Sequence, residues 1–116
     1  MSQVVALMDD LFFQMKIAET AKHLGVQVKV AANYDGLAPL LQAAPKLLIV
    51  DLNSRGEPIA TIERVRASKT PLRIVGFLSH VQTELAKEAA EAGCDEVLPR
   101  SAFTKNLAEI LAIAKQ

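Results

Sequence analysis

Two adjacent carboxylates, Asp9 and Asp10, close the apolar run VVALM, and a third, Asp51, closes the run LLIVD. Like charges this close repel, so the pair needs either open solvent or a cation. Ser79 and His80 follow the run LRIVGF, and Pro99 and Arg100 follow EVL. If the fold brings these run ends together, three carboxylates share one crevice, and a hard divalent cation with oxygen ligands, Mg²⁺ above all, would offset them. Simpler uses exist for each residue. Asp9 or Asp10 would serve as an N-cap in the favourable field of a helix start, Asp51 as a turn former in DLNSRG, and Ser79 and Ser101 as N-caps of the helices they precede.

The choice depends on the elements that carry these residues. Short β-branched runs at 4–8, 26–30, 47–51, 72–77 and 96–98 predict five strands. Helical spacing follows each. Phe13, Ile17, Ala21 and Leu24 recur before Gly25; Leu37, Leu40, Leu41 and Ala44 repeat the pattern; then come Ile59, Ile62 and Val65. Val81, Leu85, Ala89 and Ala92 precede Gly93, and a last helix carries Phe103, Leu107, Ile110, Leu111 and Ala114. Phe13 follows the core stripe of its helix, which leaves Phe12 either partly exposed near the crevice or packed under a neighbouring helix, the commoner of the two outcomes. The order is (βα) five times, which calls for a parallel five-stranded sheet between two helical layers. LLIV and VVALM read as central strands, whereas VQVKV alternates and reads as an edge. Order 2-1-3-4-5, the flavodoxin-like arrangement, satisfies this and places a topological switch point between strands 1 and 3, where ligands bind beyond the strand ends. The three acids fall on the two strands beside that point.

Composition sets the outer bounds. The 116 residues are 51% hydrophobic, enough to fill one core in a single domain over 1–116. Thirteen Lys and Arg balance thirteen Asp and Glu, so no net field draws the chain to nucleic acid or to an anionic membrane. No apolar run approaches a membrane span and no signal-peptide pattern opens the chain, so a cytoplasmic location is expected. The single cysteine, Cys94, fits a reducing compartment and reads as a small buried hydrophobe. His23 and His80 share no ligand spacing with it, which argues against a transition-metal site. His23 reads as a polar-face residue near a helix end, and His80 as a crevice residue with an acid-base capability.

The acids, with FLSH and GCDEVLPRSAF, resemble the receiver domain of two-component response regulators over the whole chain. The resemblance implies that Asp9 and Asp10 hold Mg²⁺ and that Asp51 accepts a phosphoryl group from a histidine kinase or a phosphotransfer protein. It also implies that Asn53 lends its backbone carbonyl to the metal, a role indifferent to side chain, and that the Ser79 hydroxyl meets the phosphoryl oxygens. Arg100 and Ser101 stand where receivers carry Lys followed by Pro. Arg is a planar fork rather than a point charge, so this exchange is not conservative at a phosphoryl site. In the Lys role Arg100 would fold back toward Asp51; Ser101 as an N-cap would instead carry it toward solvent, the expected direction. Val97 stands in the place of the aromatic switch residue, and His80 in that of a small residue. The stretches DDLFFQMKIAETAKHLG and GFLSHVQTELAKEAAEAGCDEVLPRSAF also look like a group of stand-alone bacterial receiver-like proteins.

The resulting expectation is an atypical stand-alone receiver, an acceptor domain rather than an enzyme. It would pass its signal to a downstream protein through the face of the fourth helix, fifth strand and fifth helix, which would also serve a homodimer. Asp10→Asn is expected to raise metal-free stability by removing one of the repelling charges. Two rivals remain: a pseudo-receiver that binds partners without phosphorylation, and a flavodoxin-like small-ligand domain. The latter needs a Gly-rich or Ser/Thr-rich turn after strand 1 to donate to phosphate, and DDLFF offers carboxylates instead.

Overall fold

A computed structural model describes residues 3–79 and 82–116. The expectations placed on His80 and Val81 lie outside the described residues. Five strands, β1 (Val4–Leu7), β2 (Val28–Ala31), β3 (Leu47–Asp51), β4 (Arg73–Leu78) and β5 (Glu96–Pro99), form one parallel sheet in the order β2-β1-β3-β4-β5. Between them run α1 (Leu11–Leu24), α2 (Tyr34–Leu41), α3 (Pro58–Ala67) and α4 (Thr83–Ala92), and α5 (Arg100–Lys105) and α6 (Leu107–Ala112) close the chain. The predicted topology is therefore the observed one.

The sheet separates two apolar layers, and the pleat assigns residues to each. Val4, Ala6, Met8, Leu47, Ile49, Val75 and Phe77 face α1, α5 and α6, whereas Val5, Leu7, Leu48, Val50 and Ile74 face α2, α3 and α4. Continuous runs on β1 and β3 are buried on both sides, as central parallel strands must be. The first layer holds three phenylalanines in mutual contact. Phe77 stacks on Phe103 with centroids 4.6 Å apart, and Phe13 tilts against both at 5.0 and 5.9 Å. The second layer has no phenylalanine.

Local signals explain most boundaries. Gly25 ends α1 in the left-handed region at φ 70°, where a side chain would be strained. Several expectations need correction. The last helix breaks at Asn106, whose φ of −104° and ψ of 15° leave the helical region and whose amide bonds back to the Ala102 carbonyl, a local competition that bends helices. Ala44 lies beyond α2, at φ 53°. On β2 the fit is mixed: Val26 is buried, but Val30 is 39% exposed, because an edge strand at the sheet margin outruns its helical cover. Phe12 is 87% exposed rather than packed beneath a helix. Among the described residues, no helix is long and apolar enough to cross a membrane.

Candidate functional site

Parallel topology makes every strand point its C-terminal end the same way, so the residues after β1, β3, β4 and β5 collect at one edge. Asp51, the last residue of β3, lies at the floor of this crevice and is 3% exposed. Its Oδ1 accepts the Asn53 backbone N–H at 2.9 Å. Burial pushes its carboxyl above the usual range, against the Asn53 hydrogen bond and the Arg100 charge, and the charges of Asp9 and Asp10 push the same way as burial.

The acidic pair above it divides its work. Asp10 is the N-cap of α1, with Oδ1 accepting the Phe13 N–H at 3.1 Å, while Oδ2 faces Arg100 Nη1 at 3.2 Å. The capping reading and the crevice reading hold for the same side chain. Asp9 turns its Oδ2 to the β3–α3 loop, where both the backbone N–H and the Nε of Arg55 donate to it at 3.2 and 3.1 Å. Gly56 allows this loop to pass against the Ala32 carbonyl, where a Cβ would clash with the backbone. Both carboxyls sit below the ordinary range, Asp9 through the Arg55 amide and side chain, Asp10 through the Phe13 amide and then Arg100.

Arg100 points inward, contrary to the outward expectation. Its Nη2 lies 3.9 Å from Asp51 Oδ2, and its guanidinium carbon lies 4.6 and 5.2 Å from the ring centroids of Phe13 and Phe77. The reason is local. Pro99, not Ser101, is the N-cap of α5, so Arg100 is the first helical residue and Ser101 is an exposed position inside the helix. The chain therefore carries Arg100 over two aromatic faces that attract a cation. Ser79 likewise does not cap α4, whose N-cap is Gln82.

Asn53 does more than the sequence suggested. Its side-chain oxygen accepts the Ser79 N–H at 2.7 Å and its amide donates to Gln82 Oε1 at 2.9 Å, so it ties the β3–α3 loop to both sides of the loop before α4. Arg55 and this use of Asn53 escaped sequence reasoning, since a long or amidic loop side chain carries no pattern. Val97, in the place of an aromatic, is half-buried beside Leu78 and Ala86 around an apolar cavity of about 130 Å³.

The donor set suits a hard cation: three carboxylates and the Asn53 carbonyl are the oxygen ligands that Mg²⁺ takes. Among the described residues no three acidic, histidine or cysteine side chains converge as a preformed metal cluster; Asp9 pairs with Arg55 and Asp10 with Arg100. The donor types, though not a preformed cluster, fit a divalent cation.

No protein-family model and no curated protein matches the chain. Solved structures do. A two-component response regulator from Legionella pneumophila superposes with a TM-score of 0.84 at 12% identity, covering 99% of this chain and 98% of that one. The chemotaxis response regulator CheY4 of Vibrio cholerae gives 0.82 at 20% identity and 98% of both chains, and a response regulator from Thermotoga maritima gives 0.80 at 18% identity and 100% of both. The chain thus has, from end to end, the fold of response-regulator receiver domains.

Proposed function

We propose that this chain is an atypical receiver in a phosphorelay, accepting a phosphoryl group on Asp51. The observation that carries this reading is the placement of Asp51: a buried carboxylate at a strand end, below an acidic pair, with a guanidinium 3.9 Å from one oxygen. An Asp51 carboxylate oxygen would attack phosphorus in line with the bond to the donor. That bond breaks with its electron pair leaving on the donor, and Asp51 becomes an acyl phosphate. Mg²⁺ held by Asp9, Asp10, Asp51 and the Asn53 carbonyl would offset charge on the incoming phosphoryl oxygens. Arg100 and Ser79 would bind those oxygens, and the two phenylalanine faces would keep Arg100 within reach. The donor would be a histidine kinase or a phosphotransfer protein. A downstream protein would read the α4, β5, α5 face, by contact rather than by aromatic rotation, since Val97 has no ring to rotate.

Incubation with Mg²⁺ and acetyl phosphate should add one phosphoryl group to the intact mass, lost in Asp51→Asn. The second reading, a pseudo-receiver, draws on the pairing of Asp9 with Arg55 and of Asp10 with Arg100, which compensates the acids without metal. An absent adduct with Mg²⁺ demonstrably bound would select it.

A further inference from the structure

Arg55 makes no contact with Asp51 in the structure's hydrogen bonds or ion pairs, yet it engages the acid that the receiver reading assigns to the metal. Its two donors do different things. The backbone N–H fixes the direction of the Asp9 carboxylate, whereas the Nε hydrogen bond and the charge come from a side chain that is 92% exposed and can swing away. Both fall on one oxygen, Oδ2. Arg55 also borders a polar hollow of about 310 Å³ between the starts of α2 and α3, whose walls carry Asp35 and Glu57 as well as a second guanidinium, Arg64, stacked on Tyr34.

We infer that Arg55 is a built-in counter-cation of the acidic pocket, competing with the divalent cation for Asp9 and swinging into solvent when the cation binds. This rests on the receiver reading of the pocket. Two guanidiniums, from Arg55 and Arg100, then compensate three carboxylates in the resting protein, and cation affinity is set by how readily they yield. Arg55 is the separable one, since its loss leaves the amide on Asp9 and the phosphoryl-facing groups in place.

The test is Mg²⁺ titration of the full chain at low ionic strength, followed by calorimetry and by thermal shift, on wild type, Arg55→Ala and Arg55→Lys. An exposed ion pair is worth up to about 1 kcal/mol, so Arg55→Ala should bind Mg²⁺ about threefold to fivefold more tightly. Arg55→Lys keeps the charge and should stay near wild type. The difference should collapse in roughly 0.5 M salt, where the Debye length shrinks below the pair's surroundings. Unchanged or weaker binding in Arg55→Ala would overturn the inference, as would absence of Mg²⁺ binding in all three proteins. No phosphoryl donor is present, so this outcome is separable from the acetyl phosphate experiment.

Discussion

Arg66 and Arg100 are two half-buried arginines at opposite ends of the sheet, with side chains 29% and 31% exposed, and each faces an aspartate. Their settings differ in kind. Arg66, in the last turn of α3, donates to the Gly93 and Leu72 carbonyls at 2.9 Å each and to Asp95 Oδ2 at 2.8 Å, and that same oxygen accepts the Ile74 N–H at 2.8 Å. Backbone groups at the end of α4 and the start of β4 are thereby satisfied, and the fork has no slack. Arg100 meets only carboxylates, at 3.2 and 3.9 Å, over aromatic faces. The first arginine fastens the fold; the second is held by longer contacts alone.

The largest effect should come from removing the platform beneath Arg100. Phe77→Ala empties the centre of the three-ring cluster and should cost about 3–5 kcal/mol in urea unfolding. Where the variant still folds, it should also bind beryllofluoride with Mg²⁺, a phosphoryl mimic, more weakly than wild type.

Arg66→Ala should come next, at about 2–3 kcal/mol, because it strips charge-assisted donors from carbonyls and a carboxylate. Beryllofluoride binding should be unchanged, which separates the two arginines. Cys94 reports on this end of the molecule: burial, and then Asp95, push its thiol up to about 11, while Arg66 pulls it down. An acid whose folded pKa is raised loses folding stability as pH rises through the interval above its ordinary value, here above the ordinary 9.0 toward about 11. Alkylation of wild type by iodoacetamide at pH 8 should run on the order of a hundredfold slower than that of free cysteine, and slower still in Arg66→Ala.

Arg100→Ala should shift stability by no more than about 1 kcal/mol. Its effect belongs to the ligand: beryllofluoride binding should fall by roughly tenfold or more, the worth of a charge-assisted hydrogen bond to a phosphoryl oxygen. Equal binding by wild type and Arg100→Ala would erase the distinction from Arg66.

The smallest effect concerns the acids. The sequence suggested that Asp10→Asn would relieve repulsion, but Asp10 caps α1 and faces Arg100, and its carboxyl is held below the ordinary range. Its ionised form is therefore favoured in the fold. Asp51 carries the strain instead, since burial raises its carboxyl. A carboxyl raised on folding binds its proton better in the native state, so the stability it costs at neutral pH is recovered as pH falls through its folded value. In metal-free thermal melts at pH 7, Asp51→Asn should gain up to about 1 kcal/mol. Asp10→Asn should gain nothing, because Asn caps as well as Asp but forgoes the ion pair.

Strand order, the edge position of β2 and the gathering of the segments that follow β1, β3, β4 and β5 at one end of the sheet were all legible in the chain. Hydrophobic period and burial of central strands are properties of neighbouring residues, and parallel topology then leaves few arrangements. Tertiary structure alone decided where the long side chains go. Arg100 turns inward because Phe13 and Phe77, distant in sequence, present their faces beneath it, and Asp9 pairs with Arg55 because Gly56 lets the β3–α3 loop pass close to Ala32. Phe12 stays in solvent because, among the described residues, no element covers its side of α1. A rotamer choice costs little by itself, so the packed surroundings set its direction, and those surroundings come from residues that the linear sequence does not place side by side.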